Sequence, residues 1–151
     1  MRAVLQRVRH ATVEVEGEVV GSIERGLLVL LGVLEGDGEA EADWIADRIA
    51  GYRVFEDERG RMNLSAEQVG AACLVVSQFT LAADGRRGRR PSFDAAADPA
   101  LAEPLYLRVV QALEARGLPV ATGRFGARMA VELLNEGPAT FLLESPERAS
   151  R

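Results

Sequence analysis

The chain has 151 residues, 48% of them hydrophobic and 27% charged, with a net charge of −5. A chain of this length buries about two-thirds of its unfolded surface, which suits one globular domain. All 18 basic residues are arginine, and His10 and Cys73 are the only histidine and the only cysteine. These counts exclude Schiff-base chemistry, a lysine-bearing phosphate loop and an internal disulfide, and the acidic balance argues against a protein that coats nucleic acid over its whole surface.

The opening MRAVLQRVRH alternates apolar and charged residues and lacks the apolar run of about 7 to 15 residues that a secretory signal needs, so a cytoplasmic location is expected. Val13 and Val15 alternate with Glu14 and Glu16 before Gly17, which predicts a hairpin turning near Glu16 and Gly17. Leu27 to Leu34 is continuously apolar apart from Gly32, far short of the roughly 20 residues of a membrane helix, and reads as a strand buried on both faces. Asp37 to Gly51 carries Ala40, Trp44, Ile45 and Ile49 on one helical stripe, with acids early and Gly51 at the end. A strand at Tyr52–Phe55, a polar turn over Glu56–Arg61 and a strand at Ala72–Leu81 are expected next. A second helix is predicted from Asp98-Pro99 to Gly117, with Pro104 delaying its start or kinking it. Strands are then expected at Val120–Phe125, Arg128–Leu134 and Ala139–Glu144, the last two joined by a turn at NEGP. Residues 1–145 read as one mixed α/β domain with layered sheets, and the polar end from Ser145, with 146–151 as a tail, is expected to fray.

With one histidine, any metal-bound histidine pair is excluded, and a histidine-activated nucleophile would have to use His10. Cys73 sits in ACLVVSQFTL and reads as a buried hydrophobe. Three segments carry groups suited to chemistry. SQFTL, Ser77 to Leu81, ends a buried strand and either presents hydroxyl, amide and N–H groups to a pocket or is an ordinary strand end. NEGPAT, Asn135 to Thr140, is either a plain turn or a backbone device in which Gly137 admits close approach and Pro138 fixes its own angle. GRRGRR, Gly85 to Arg90, is either a solvated loop or a phosphate-binding one.

SQFTL followed by Asn135-Glu136-Gly137-Pro138-Ala139-Thr140 closely resembles the two signature stretches of the D-aminoacyl-tRNA deacylase family. LQRV at 5–8, VEGEVVG at 15–21, GLLVLLGV at 26–33, MNL at 62–64, RPSF at 90–93 and TGRFGARM at 122–129 are similar to family segments as well. Position 136 is Glu where the family often has Asp, and position 139 is Ala where it usually has Val; neither change removes a functional atom.

The resemblance implies a single compact domain with a three-layer α/β/β fold, mixed and antiparallel sheets and two main helices. It also implies a homodimer with active sites at the interface. The Gly137-Pro138 bond would be cis and act in trans, turning its carbonyls toward the substrate so that L side chains clash while D side chains point outward; glycine would not be fully excluded. Ser77, Gln78, Phe79, Thr80 and Met129 would line the pocket, with backbone N–H groups near Phe79 and Thr80 stabilising the oxyanion. The Thr80 hydroxyl has no evident base beside it, and the 2′-hydroxyl of the terminal adenosine would assist instead. Arg7 would hold the Gly-Pro element, while Arg86, Arg87, Arg89 and Arg90 would meet acceptor-stem phosphates. No cofactor, metal, membrane or DNA partner is implied. Competing readings are a binder of aminoacyl-tRNA without turnover, an esterase of small D-amino acid esters, and a relative acting on mischarged L-alanine.

Overall fold

The computed structural model describes residues 1–147. Its centre is strand β1, Arg2–Val15, which turns at Glu16 and Gly17 into β2, Glu18–Ile23. Both turn residues have positive φ, 51° and 79°, the mirror-image turn that matches the twist of a hairpin. Strand β3, Gly26–Gly32, pairs antiparallel with the first half of β1, while β2 pairs with its second half on the same edge. The opposite edge of β1 is taken along most of its length by the last strand, β8, Ala130–Glu144. Beyond β3 the sheet continues in parallel through β6, Ala72–Ser77, and β7, Val120–Thr122. The mixed and antiparallel sheets are one six-stranded mixed sheet and a two-stranded antiparallel hairpin, β4 (Phe55–Glu56) and β5 (Met62–Leu64). The larger sheet takes in so many strands because β1 is long enough to pair with β2, β3 and β8.

Helices α1, Glu39–Gly51, and α3, Pro99–Ala115, cover one face of the sheet, and α2, Ala66–Val69, is a single turn between β5 and β6. The alternation of β3 and β6 explains the layers. Leu27, Val29, Leu31, Cys73 and Val75 face Ile45, Ile49, Val109 and Leu113 of the helices. Leu28, Leu74 and Val76 point the other way and meet Val8, Ala11, Val13 and Ile23, so the second half of β1, with β2, folds over as a further β layer. Each fully buried Leu or Ile contributes about 1.5–3 kcal/mol. Gly21 lets β2 close down on β7, since a Cβ there would sit 2.2 Å from the Thr122 carbonyl oxygen.

Several local expectations change. The strand predicted at Tyr52–Phe55 starts only at Phe55, because the Tyr52 N–H still caps α1 through the Arg48 carbonyl at 2.9 Å. Pro104 neither delays nor breaks α3: it removes one bond near the N-terminus, and the buried Leu105, Tyr106 and Val109 hold the helix to the sheet. The Val120–Phe125 strand stops at Thr122, where a turn containing Gly126 in the left-handed region takes over. NEGP joins no two strands. It lies inside β8, which continues on both sides of it.

Ser145, expected to fray, is tied to Met1: its N–H donates to the Met1 carbonyl, and its Oγ accepts from the Met1 ammonium at 2.7 Å. Of the predicted tail 146–151, residues 148–151 lie outside the described residues. No helix among the described residues is long and apolar enough to cross a membrane.

Candidate active site

The strand expected over Ala72–Leu81 ends at Ser77, and a 3₁₀ turn follows over Phe79–Ala82. Gly32 permits this change, because a Cβ there would meet the Gln78 carbonyl oxygen at 2.9 Å and the Leu81 Cβ at 3.0 Å. The Gln78 N–H still reaches the Leu31 carbonyl, while the Gln78 carbonyl accepts from Leu81 N–H and Arg2 Nη1 closes the turn by donating to the Leu81 carbonyl at 2.8 Å. The first two N–H groups of the turn, on Phe79 and Thr80, have no acceptor within it, as at any helix start.

These residues open onto a pocket of about 470 Å³ whose wall includes Ser77, Gln78, Phe79, Phe125 and Met129. None of the residues in the wall is ionisable. Thr80 is exposed beside the wall and outside it, with its hydroxyl accepting from Gln78 Nε2. His10 is in β1 opposite Leu134 and also lies outside the pocket. The back wall escapes sequence reasoning. Phe125 leans on Tyr106 with ring centres 5.8 Å apart, and the Tyr106 hydroxyl is anchored on the Val75 carbonyl at 2.8 Å. Burial pushes the Tyr106 phenol up to about 12, so it stays protonated. Met129 fits because Gly123 has no side chain; a Cβ there would lie 2.6 Å from the Met129 sulfur.

The Gly137-Pro138 element is a bulge. Gln6 pairs with Thr140 and Val8 with Asn135, so Arg7 alone faces the four residues Glu136, Gly137, Pro138 and Ala139. Pro138 has no N–H to give a ladder, which favours leaving the sheet here. The Gly137-Pro138 bond is cis, and both residues are exposed. Neither lines the pocket of its own chain.

Arg7 grips the base of the bulge. Its side chain is buried, and it donates to the Val54 carbonyl at 2.6 Å and to the Glu136 carbonyl at 3.2 Å. Glu56 and Glu136 carboxylates stand 3.7 and 4.0 Å from the guanidinium. Asn135, named in the signature stretch but given no role of its own there, closes the other side: its Nδ2 donates to the Arg7 carbonyl at 2.9 Å and the Ala139 carbonyl at 3.1 Å. Ala139 is buried beneath the bulge.

The arginine loop is pinned by reciprocal backbone bonds between Asp84 and Ser92 at 2.8 and 2.9 Å. It borders the pocket through Phe93, whose ring packs edge-on against Phe79 at 5.2 Å. The four arginines divide. Arg86 is clasped by Asp84, with Nη2 2.6 Å from Oδ2 and Nε 2.9 Å from Oδ1, and this hydrogen bonding pulls the Asp84 carboxyl down to about 2. The Arg87, Arg89 and Arg90 side chains are exposed and engage no partner among the described residues. Cys73 is buried in the helix-facing core, its thiol pushed up to about 12 by burial.

Fold and site together define a small α/β protein with a pocket free of ionisable groups, set beside an arginine-rich loop. A sequence profile of the family described as D-Tyr-tRNA(Tyr) deacylase matches residues 4–144. A relative from Geobacter metallireducens described as a D-aminoacyl-tRNA deacylase is 57% identical over 147 residues, covering 97% of each chain. Another of the same description from Symbiobacterium thermophilum is 59% identical over 145 residues, 96% of each chain. A solved structure titled c-Myc DNA Unwinding Element Binding Protein superposes with a TM-score of 0.91 at 39% identity, over 97% of this chain and 100% of that one. One titled as a probable eukaryotic D-amino acid tRNA deacylase shares the fold with a TM-score of 0.82 at 20% identity, over 94% and 97%. The chain belongs to the D-aminoacyl-tRNA deacylase family, a family of hydrolases.

Proposed function

We propose that this protein hydrolyses the ester linking a D-amino acid to the terminal adenosine of tRNA, as a proofreading step for translation in the cytoplasm. Water adds to the ester carbonyl carbon, the bond to the ribose oxygen breaks, and free D-amino acid and tRNA leave. The observation that carries this reading is a pocket wall without an acid or base. Such a wall supports a reaction that relies on backbone donors and on the substrate's own groups. The Phe79 and Thr80 N–H groups, lacking helical acceptors, suit the developing oxyanion. The 2′-hydroxyl of the terminal adenosine assists the attack. The Thr80 hydroxyl, outside the pocket wall and with no base in that wall to take its proton, does not serve as the nucleophile.

Chiral selection is assigned to Gly137 and Pro138 acting in trans within a homodimer. What supports this is their exposure on a bulge anchored by Arg7 and Asn135, outside the pocket of their own chain. Main-chain carbonyls there turn away an L side chain by steric conflict and are indifferent to which D side chain points outward. Glycine, lacking a side chain, is accepted too, so glycyl-tRNA is a further substrate. Ser77, Gln78 and Met129 line the substrate's side of the pocket. Arg87, Arg89 and Arg90 bind acceptor-end phosphates, and Arg86 shapes their loop.

The test is hydrolysis of matched D-tyrosyl-tRNA and L-tyrosyl-tRNA with EDTA present. Loss of the D ester alone is expected. Loss of neither ester refutes the activity, and loss of both refutes the selector. Thr80→Ala retains activity while a 2′-deoxy substrate is inert; an inactive, folded Thr80→Ala refutes the catalytic scheme.

A further inference from the structure

We propose that Arg124 and Arg128 form a second phosphate-binding rim, so that the single-stranded 3′ end of the RNA is held by two of the loops that border the pocket. This rests on the tRNA-directed reading above.

The turn between β7 and β8 alternates in what it presents. Phe125, Gly126, Ala127 and Met129 contribute to the pocket wall, while Arg124 and Arg128 are exposed. The turn is built firmly, with the Gly123 N–H donating to the Val75 carbonyl and the Ala127 N–H to the Arg124 carbonyl, both at 3.2 Å. The two guanidiniums therefore project from a fixed rim.

The rest of the molecule makes their isolation informative. In a chain of net charge −5, most described arginines are neutralised or covered. Arg2, Arg7, Arg9, Arg86, Arg108 and Arg116 are in ion pairs. Arg25 and Arg48 lie over the rings of Phe55 and Trp44, and Arg53 bonds Asn63. The described arginine side chains left without a partner are Arg59 and Arg61 on the β4–β5 turn, Arg87, Arg89 and Arg90 on the loop that reaches the pocket through Phe93, and Arg124 and Arg128 on the turn that lines it. Uncompensated positive charge thus gathers on two of the loops that border the apolar pocket. Phosphates of successive nucleotides are the partners that suit guanidiniums spaced along a groove, each adding a charge-assisted bond and releasing counterions.

The experiment measures binding of a fluorescent, uncharged RNA minihelix ending in CCA, by anisotropy over a series of salt concentrations, alongside D-tyrosyl-tRNA hydrolysis. Each single-strand phosphate contributes about 0.7 to the slope of log K against log salt. The Arg124→Gln/Arg128→Gln protein is expected to lose about 1.4 of slope and to bind more weakly at low salt. The Arg59→Gln/Arg61→Gln protein removes the same charge away from the pocket and is expected to keep the native slope. An unchanged slope in the first variant overturns the proposal, as does an equal loss in the control, which would mean only net charge matters. The hydrolysis arm separates the two readings: a native protein that binds with the predicted slopes but spares D-tyrosyl-tRNA leaves the rim standing and sinks the catalytic reading.

Discussion

Replacing Arg7 by Met keeps the length of the side chain and deletes the guanidinium that ties β1, β4 and the bulge together. Two charge-assisted hydrogen bonds disappear, to the carbonyls of Val54 and Glu136, and each is worth about 1.5–3 kcal/mol. Relief of the desolvation of a buried charge offsets part of that loss. The carboxylates of Glu56 and Glu136, 52% and 30% exposed, add little through water-screened attraction. The lower end of the range, about 3 kcal/mol, is therefore expected. For a chain of this size that lowers Tm by about 6–12 °C.

The Glu136 carbonyl immediately precedes the proposed selector, so the ratio of D-ester to L-ester hydrolysis should fall by about tenfold for each 1.4 kcal/mol of lost orientation. Calorimetry and paired D and L assays read the two effects separately. Arg7→Lys should rescue less than half of either, because an ammonium cannot span two carbonyls with a planar fork. A Tm within about 2 °C of native for Arg7→Met, or full rescue by lysine, would refute this account of the clasp.

Gly26 faces Ala72 across the parallel β3–β6 pair, and a Cβ at Gly26 would stand 1.9 Å from the Ala72 carbonyl oxygen. Gly26→Ala should therefore cost about 3 kcal/mol in urea unfolding, and a loss under about 1 kcal/mol would show that the strands separate easily. Folded Cys73 should resist a thiol reagent at pH 8 and react only after denaturant is added, since its thiol is raised to about 12; rapid labelling of the native protein would contradict its burial. Asp84 should titrate near 2 by carbon NMR, with its clasp complete above the ordinary carboxylate value of 3.8 and lost as pH falls through about 2. Arg86→Gln should move that midpoint up toward 3.8, and an unmoved midpoint would assign the depression to another group.

The apolar run Leu27–Leu34, interrupted only by Gly32, revealed the strand Gly26–Gly32 buried on both faces, and the stripe through Trp44, Ile45 and Ile49 revealed α1, because burial imposes these periodicities directly. NEGP misled because Asn, Gly and Pro serve a turn and a bulge equally well. The choice between them is made by β1, which offers β8 a partner both before and after Arg7. The end of SQFTL as a 3₁₀ turn depends on Gly32, far away in sequence, and Met62–Leu64 and Ala66–Val69 are too short to show a period. Candidate pocket residues Ser77, Gln78, Phe79 and Met129 do converge, whereas the Tyr106–Phe125 backing and the hydrogen bond from Asn135 to the Arg7 carbonyl are tertiary and left no local mark. The Arg86 clasp left one: an aspartate two residues earlier, the spacing at which a side chain reaches back within a loop.

Strand β8 pairs only with β1 among the described strands, so its outer edge presents unpaired main-chain groups over a length that invites other chains to add on. The four-residue bulge breaks that edge near its middle, and Pro138 leaves a gap in its row of donors. The same insertion that displays a short piece of backbone thus denies passing strands a continuous template, making it a guard against aggregation as well. Removing the two extra residues that β8 carries between Leu134 and Thr140 would restore an unbroken sheet edge and the liability that goes with it.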